Sequence, residues 1–186
     1  MVGKIKAKFL NNEVEFVGEA HLHGHLLTLK HNSKEVKRKL NTSLTVKVEG
    51  NKIFLQTRKS TKKDKKNLGT NVAHIKNMVE GLNRPFVYKL QVATVHFPMT
   101  ASYDKATNEI VVKNFLGEKK DRRIKLVEGV DVHVNKEHIE IRSVDIEKAG
   151  QSAANIEIGT KVRNKDRRIY QDGIFITEKP GRIFKW

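Results

Sequence analysis

Two stretches of this chain, 44–57 and 130–143, carry the same order of apolar and polar residues without a gap, so the fold must be built from two related halves. Leu44, Val46 and Val48 fall on Val130, Val132 and Val134, and Ile53 and Leu55 fall on Ile139 and Ile141. Strict alternation of this kind is the pattern of half-buried strands. Each block therefore predicts a hairpin, turning at Glu49-Gly50-Asn51-Lys52 in the first copy and at Asn135-Lys136-Glu137-His138 in the second.

A helix follows each hairpin. Leu68, Val72, Ile75, Val79 and Leu82 recur at alternating spacings of four and three, which lays one apolar stripe along a helix. In the second copy Asp145 is a suitable N-cap, and Ile146, Ala149, Ala153 and Ile156 share a face after it. Gly150, Ala153 and Ala154 let that helix approach a sheet closely, and Gly69, Ala73 and Ile75 align with Gly150, Ala154 and Ile156. Ahead of the hairpins lie further strand pairs, Leu26–Lys30 with Glu35–Leu40 and Glu109–Lys113 with Asp121–Leu126. Strands and then a helix, given twice, predict the α+β class: two duplicated domains, each an antiparallel β-sheet packed on one face by an α-helix. The expected domains are 1–82 and 83–186, because Gly81 and Pro85 end the first helix and Phe86, Tyr88, Leu90 and Val92 open a new strand.

Charge narrows the function. Lys and Arg number 37 against 21 Asp and Glu, a formal charge of +16 that repels itself unless a polyanion meets it. Both halves are basic, with 17 cations against 7 acids in 1–82 and 20 against 14 in the remainder. Nucleic acid is the expected partner, since a merely solubilising surface would be served equally well by balanced signs. Cysteine is absent, which excludes disulfides and thiolate metal sites and fits a reducing compartment. No apolar run approaches the ~20 residues of a membrane span, and Met1-Val2-Gly3-Lys4 lacks the apolar core of a secretory signal. A soluble intracellular chain is expected.

Three basic runs are candidate RNA contacts. Arg58, Lys59, Lys62, Lys63, Lys65 and Lys66 fall between a strand and a helix, hence in a predicted loop able to follow a phosphate backbone. Lys113, Asn114, Lys119, Lys120, Arg122 and Arg123 belong to a predicted hairpin loop where Gly117 permits a close turn. Phe115 in that loop is either a core residue bracing it or an exposed platform for a base. Arg163, Asn164, Lys165, Arg167, Arg168 and Tyr170 mix cations with groups that bond to and stack on unpaired bases. The terminal stretch Lys179–Trp186 is expected to leave the domain as an extended tail on which Trp186 could stack.

Catalytic constellations are weak. On a strand, His21, His23 and His25 would share one face, as some zinc or nickel sites require, yet no neighbouring carboxylate completes the set and an exposed cluster is the cheaper account. Asp166 and Asp172 flank Tyr170 among cations that they would orient by ion pairs, and Asp145 is assigned to a helix cap. Ser152 lacks evident His and acid partners, and neither a P-loop nor a dinucleotide fingerprint occurs. No enzyme, metal or cofactor is expected.

Taken in order, His74-Ile-Lys-Asn-Met-Val-Glu-Gly-Leu82, Phe86–Leu90, Val95-His-Phe-Pro98, Asn114–Lys119, Asp145-Ile-Glu147, Gln151–Ala154, Asn164-Lys-Asp166, Arg168, Asp172-Gly-Ile174 and Glu178-Lys179 resemble one family. It is the universal large-subunit ribosomal protein numbered six in bacteria and nine in eukaryotes, in its archaeal and eukaryotic branch. The resemblance implies two related domains that brace large-subunit ribosomal RNA near the sarcin-ricin loop and stalk base, where translation factors dock. The second domain would make the main contacts, through Arg163, Asn164, Lys165, Arg167, Arg168, Lys119, Lys120, Arg122 and Arg123. It also implies neighbouring ribosomal proteins as partners, no homo-oligomer, and a place in cytoplasmic ribosomes, with nucleolar passage if the source is eukaryotic. One departure is His31-Asn-Ser-Lys-Glu35, where the family usually carries Gly-Pro-Arg-Gly. The competing expectations are an RNA-binding regulator outside the ribosome and a metal-dependent RNA-processing enzyme using His21 to His25.

Overall fold

The structure, a computed structural model, describes residues 10–40, 44–57, 59 and 61–184. The chain divides into two compact units, Met1–Arg84 and Pro85–Trp186. In the first, strands β1 (Asn11–Glu15), β2 (Glu19–His23), β3 (Leu26–His31), β4 (Lys34–Lys39), β5 (Leu44–Glu49) and β6 (Lys52–Thr57) precede helix α1 (Lys62–Asn83). In the second, β7 (Phe86–Ala93), β8 (Thr100–Asp104), β9 (Glu109–Lys113), β10 (Arg122–Lys125), β11 (Asp131–Val134) and β12 (His138–Ser143) precede α2 (Ile146–Gly159), after which come β13 (Gly173–Lys179) and β14 (Arg182–Ile183).

The duplication is one of topology as well as pattern. The first strand of each unit pairs antiparallel with the strand just before the helix, β1 with β6 and β7 with β12. The three strands after it form a meander of their own, β2-β3-β4 and β8-β9-β10. Each half thus holds two sheets where one was expected, because the meander strands find partners only among themselves. The repeated hairpins turn at the same place: Glu49 pairs with Lys52, and the Asn135 N–H donates to the His138 carbonyl at 2.8 Å. Unit two adds β13 and β14, giving a five-stranded sheet in the order β11-β12-β7-β13-β14.

The two helices bury matching positions: Leu68, Asn71, Val72 and Ile75 in α1, and Ala149, Ser152, Ala153 and Ile156 in α2. Further along α1, Met78 is buried and Val79 only half-buried. Both residues continue the stripe by spacing, so contact with the sheet decides between them. Close approach at the two aligned glycines, Gly69 and Gly150, is found in α2 and not in α1. A Cβ at Gly150 would lie 2.9 Å from the Tyr88 hydroxyl, whereas nothing comes within 4 Å of one at Gly69, and Ala73 is exposed. Leu90, Ile110, Ile139, Ile141 and Ile156 are fully enclosed in the second core, each stabilising it by roughly 1.5–3 kcal/mol.

As far as Phe184 the terminal stretch does not extend away. Gly181, at φ +75°, reverses the chain into β14, and the Phe184 N–H donates to the Thr177 carbonyl at 2.8 Å. Lys179 and Arg182 lie over the Phe184 ring, 5.3 and 4.8 Å from its centroid. Trp186 lies outside the described residues. No helix among the described residues is long and apolar enough to cross a membrane.

At the β3–β4 turn, His31 pairs with Lys34 across Asn32 and Ser33, both left-handed at φ +47° and +63°. Two positive φ values define the primed turn that suits strand twist, and a side chain at the second position strains it. Ser33→Gly should therefore raise unfolding stability by about 1 kcal/mol, and a urea titration showing no gain would refute this account.

Candidate nucleic-acid interface

The first basic run is not a loop. Helix α1 begins at Lys62, so Lys62, Lys63, Lys65 and Lys66 project from its opening turns, while Lys59 precedes it and Arg58 lies outside the described residues. The cause is local. Thr61 caps the helix by accepting the Asp64 N–H at 3.2 Å, and Asp64 Oδ2 in return accepts the Thr61 N–H at 3.4 Å. This reciprocal box starts the helix well before its first buried apolar residue, Leu68. All four lysines are exposed. They sit at the positive end of the helix dipole, where cations are disfavoured until an anion arrives.

The other two runs come together in unit two. Arg122 Nη1 donates to the Gly159 carbonyl at 2.9 Å, tying the start of β10 to the end of α2. Its Nε donates to Glu118 Oε2 at 2.8 Å, and its guanidinium lies 3.9 Å from the centroid of Phe115. Phe115 is buried, so it is the loop's brace and not a platform. The hydrogen bond from Arg122 holds the Glu118 carboxyl below its usual range against the opposing effect of burial, with Arg122 and then Lys165 adding electrostatic help. Arg122 is therefore occupied inside the unit. Asn114, left-handed at φ +57°, donates from Nδ2 to the Pro98 carbonyl at 2.9 Å, which anchors the loop's other end. Lys113, Lys119, Lys120 and Arg123 are exposed around it, with Arg123 only 3.7 Å from Glu109.

Between buried Val162 and half-buried Tyr170 every residue is exposed. Asp166 shapes this segment: its Oδ1 accepts the Arg168 N–H at 2.9 Å, its Oδ2 accepts the Arg168 guanidinium at 3.0 Å, and its carbonyl accepts the Tyr170 N–H at 2.9 Å. Asn164 adopts φ +58° and turns the chain. Arg163 and Arg167 make no ion pair among the described residues. Tyr170 is less available than its position in the sequence suggested. His96 packs against its ring at 5.1 Å between centroids, and Lys165 Nζ lies 4.4 Å from its centroid.

Asp172 does not orient cations. It is 2% exposed and accepts the backbone N–H groups of Val95 and His96 at 2.8 and 2.9 Å, with His96 Nδ1 2.8 Å from its other oxygen. This clasp joins the end of β7 to the basic segment across 76 residues of chain, a separation no local pattern encodes. Burial pushes the carboxyl up, but the backbone and side chain of His96, then the N–H groups of Val95 and Phe97, bring it down to about 2.

His21 and His23 are exposed on one side of β2, but Gly24, at φ +62°, turns the chain and carries His25 off the strand. Among the described residues no group of three His, Asp or Glu side chains could hold a metal ion.

Two related α+β units with cations massed at their loops and helix start define a class of protein that the comparisons identify. A family model described as Ribosomal protein L6 matches residues 17–83 and 101–173, one stretch in each unit. The chain belongs to this family of ribosomal proteins and is not an enzyme. It is 37% identical over 180 residues to the large ribosomal subunit protein uL6 of Methanococcus vannielii, covering 95% of this chain and 98% of that one. The protein of the same description from Sulfurisphaera tokodaii is 34% identical over 179 residues, covering 94% and 95%. That of Staphylothermus marinus is 42% identical over 135 residues, covering 72% and 73%.

Because the Asp172 carboxyl is depressed in the folded state, its stabilisation is complete above the unfolded value near 3.8 and is lost as pH falls through about 2. Asp172→Asn should cost roughly 2 kcal/mol at pH 7 and flatten the loss of stability between about pH 4 and 2. Denaturant titrations of both proteins at several pH values test this. An acid limb of equal steepness in the variant would refute it.

Proposed function

We propose that this chain is a structural constituent of the large ribosomal subunit, binding and bracing large-subunit ribosomal RNA near the sarcin-ricin loop and stalk base, where translation factors dock. Family membership supports the assembly. The observation that supports the RNA contact is the surface of unit two, where Lys119, Lys120, Arg163 and Arg167 stand exposed while Glu118 and Asp166 are bonded to arginines. These four cations make no ion pair among the described residues, and such cations are ready to displace counterions from phosphates. Arg122, Asn114 and Asp166 hold the segments that carry them, so the protein meets RNA with a preset shape. Lys62, Lys63, Lys65 and Lys66 form a second, separate set on unit one. Neighbouring ribosomal proteins are the remaining partners, a monomeric chain is the expected state, and the place of action is the cytoplasmic ribosome, with nucleolar assembly in a eukaryotic source.

No bond is made or broken in this role. Replacing Arg163, Lys165 and Arg167 together by Ala should weaken binding to large-subunit RNA and reduce the slope of log K against log salt by about 2, given ~0.7–0.9 per phosphate contact. Filter binding across a salt series measures it, and an unchanged slope counts against the contact. Sucrose-gradient sedimentation tests the assembly: the chain should travel with large subunits, and recovery only at the top of the gradient would instead favour a free RNA-binding regulator.

A further inference from the structure

The first strands of the two units lie in the same register. The Phe16 N–H donates to the Asn51 carbonyl at 2.8 Å and the Val92 N–H to the Glu137 carbonyl at 2.8 Å, while Val14 pairs with Ile53 and Leu90 with Ile139. Phe16, Glu15, Val14 and Glu13 therefore correspond to Val92, Gln91, Leu90 and Lys89. On β7 the edge turned away from β12 is taken by β13, which sets Ile174 opposite Val92 and Ile176 opposite Leu90. Glu178 then meets Lys89, and their side chains pair at 2.8 Å.

The same edge of β1 carries no strand among the described residues. Alternation along the β1–β6 ladder turns the backbone N–H and C=O groups of Asn11, Glu13 and Glu15 outward. The Glu13 N–H is met there by the adjacent Asn12 Oδ1 at 3.1 Å, an exposed bond that an incoming carbonyl can replace. Beside this edge runs a groove of about 560 Å³, between β1 and the last turns of α1. Buried Val14 and half-buried Val79 give it an apolar floor. Glu13, Glu15 and Glu80 line it against Lys76 and Arg84, an excess of acid in a chain whose formal charge is +16. Lys52 lies 3.8 Å from Glu13 and 3.3 Å from Glu15, so one cation serves two carboxylates.

These groups specify what fits. Outward backbone donors and acceptors suit an extended strand. Val14 suits an apolar residue opposite it, as Leu90 has Ile176, and Glu13 suits a cation, the reverse in sign of the Lys89–Glu178 pair. Phosphates are repelled by the carboxylates. A second copy adding its own β1 antiparallel would set glutamate against glutamate. We propose that the outer edge of β1 docks an extended basic segment of a neighbouring large-subunit protein, antiparallel, with Lys or Arg opposite Glu13 and Glu15 and an apolar residue opposite Val14. That the occupant belongs to the large subunit rests on the assembly reading, whereas the preference for a basic strand rests on the edge itself.

The test uses the full chain, isotope-labelled and titrated with the capped peptides Lys-Val-Lys-Val-Lys and Glu-Val-Glu-Val-Glu. Amide shifts at Asn11, Glu13 and Glu15 with the basic peptide alone are the expected result, whereas equal shifts with both, or none with either, overturn the proposal. Glu13→Lys, Glu15→Lys and Lys52→Glu together should turn the preference toward the acidic peptide by about fivefold. Loss of binding to both peptides by a triple variant that keeps its dispersed spectrum counts against the charge pairing. Where that variant does not fold, Glu13→Gln with Glu15→Gln should bring the two peptides to equal affinity, and a persisting basic preference overturns the pairing. In assembled large subunits the Glu13 and Glu15 amides should exchange with deuterium about tenfold more slowly than in the free chain. Equal rates overturn the docking, as does protection already present in the free chain. A chain that fails to sediment with large subunits removes the assembly reading, and the peptide titration reads the edge independently of that outcome.

Discussion

The buried carboxylate of Asp172 is the interaction on which the organisation of unit two depends. Its Oδ1 accepts the backbone N–H groups of Val95 and His96, just past β7, its Oδ2 meets the His96 ring, and Asp172 itself stands immediately before β13. β7 is the central strand of the five-stranded sheet, paired on one side with β12 and on the other with β13. One side chain therefore locks the exit of the central strand to the entry of its neighbour. The basic segment hangs between that lock and Val162, with Tyr170 pinned by His96. Burying a carboxylate is unfavourable unless its acceptors are saturated, and here donors from three successive residues saturate it.

Electrostatics divide the charged residues into two populations. Arg122, Arg168 and Arg142 bond to nearby carboxylates, and these pairs shape loops or lie along a sheet face. Lys62, Lys63, Lys65 and Lys66 stand together at a helix start where they repel one another and oppose the dipole. Such an arrangement costs stability in the free chain and is relieved by an anion.

The halves have diverged where they carry different tasks. Matching hairpins end in buried hydroxyls, with Thr57 Oγ1 3.4 Å from the Leu10 N–H and Ser143 Oγ donating to the Gly129 carbonyl at 3.0 Å. Matching helices bury Asn71 and Ser152 at the same place in the stripe. Yet α2 packs through Gly150 against Tyr88, and among the described residues only unit two adds strands on the far side of its first strand. β13 follows the basic segment and the clasp at Asp172.

The alternation of Leu44 to Leu55 and of Val130 to Ile141, the two apolar helical stripes and the excess of cations by themselves determined a duplicated, basic α+β chain, because period and charge are local properties of sequence. Tertiary structure alone decided which charges are spent internally. Arg122 and Arg163 look alike in sequence, but one is bonded to Glu118 and to the Gly159 carbonyl while the other is exposed. Likewise Asp166 and Asp172 stand six places apart, and folding leaves the first on an exposed turn and seals the second in the interior. The physical reason is distance along the chain: His96 and Gly159 become neighbours of these groups only when the strands have paired and α2 has docked.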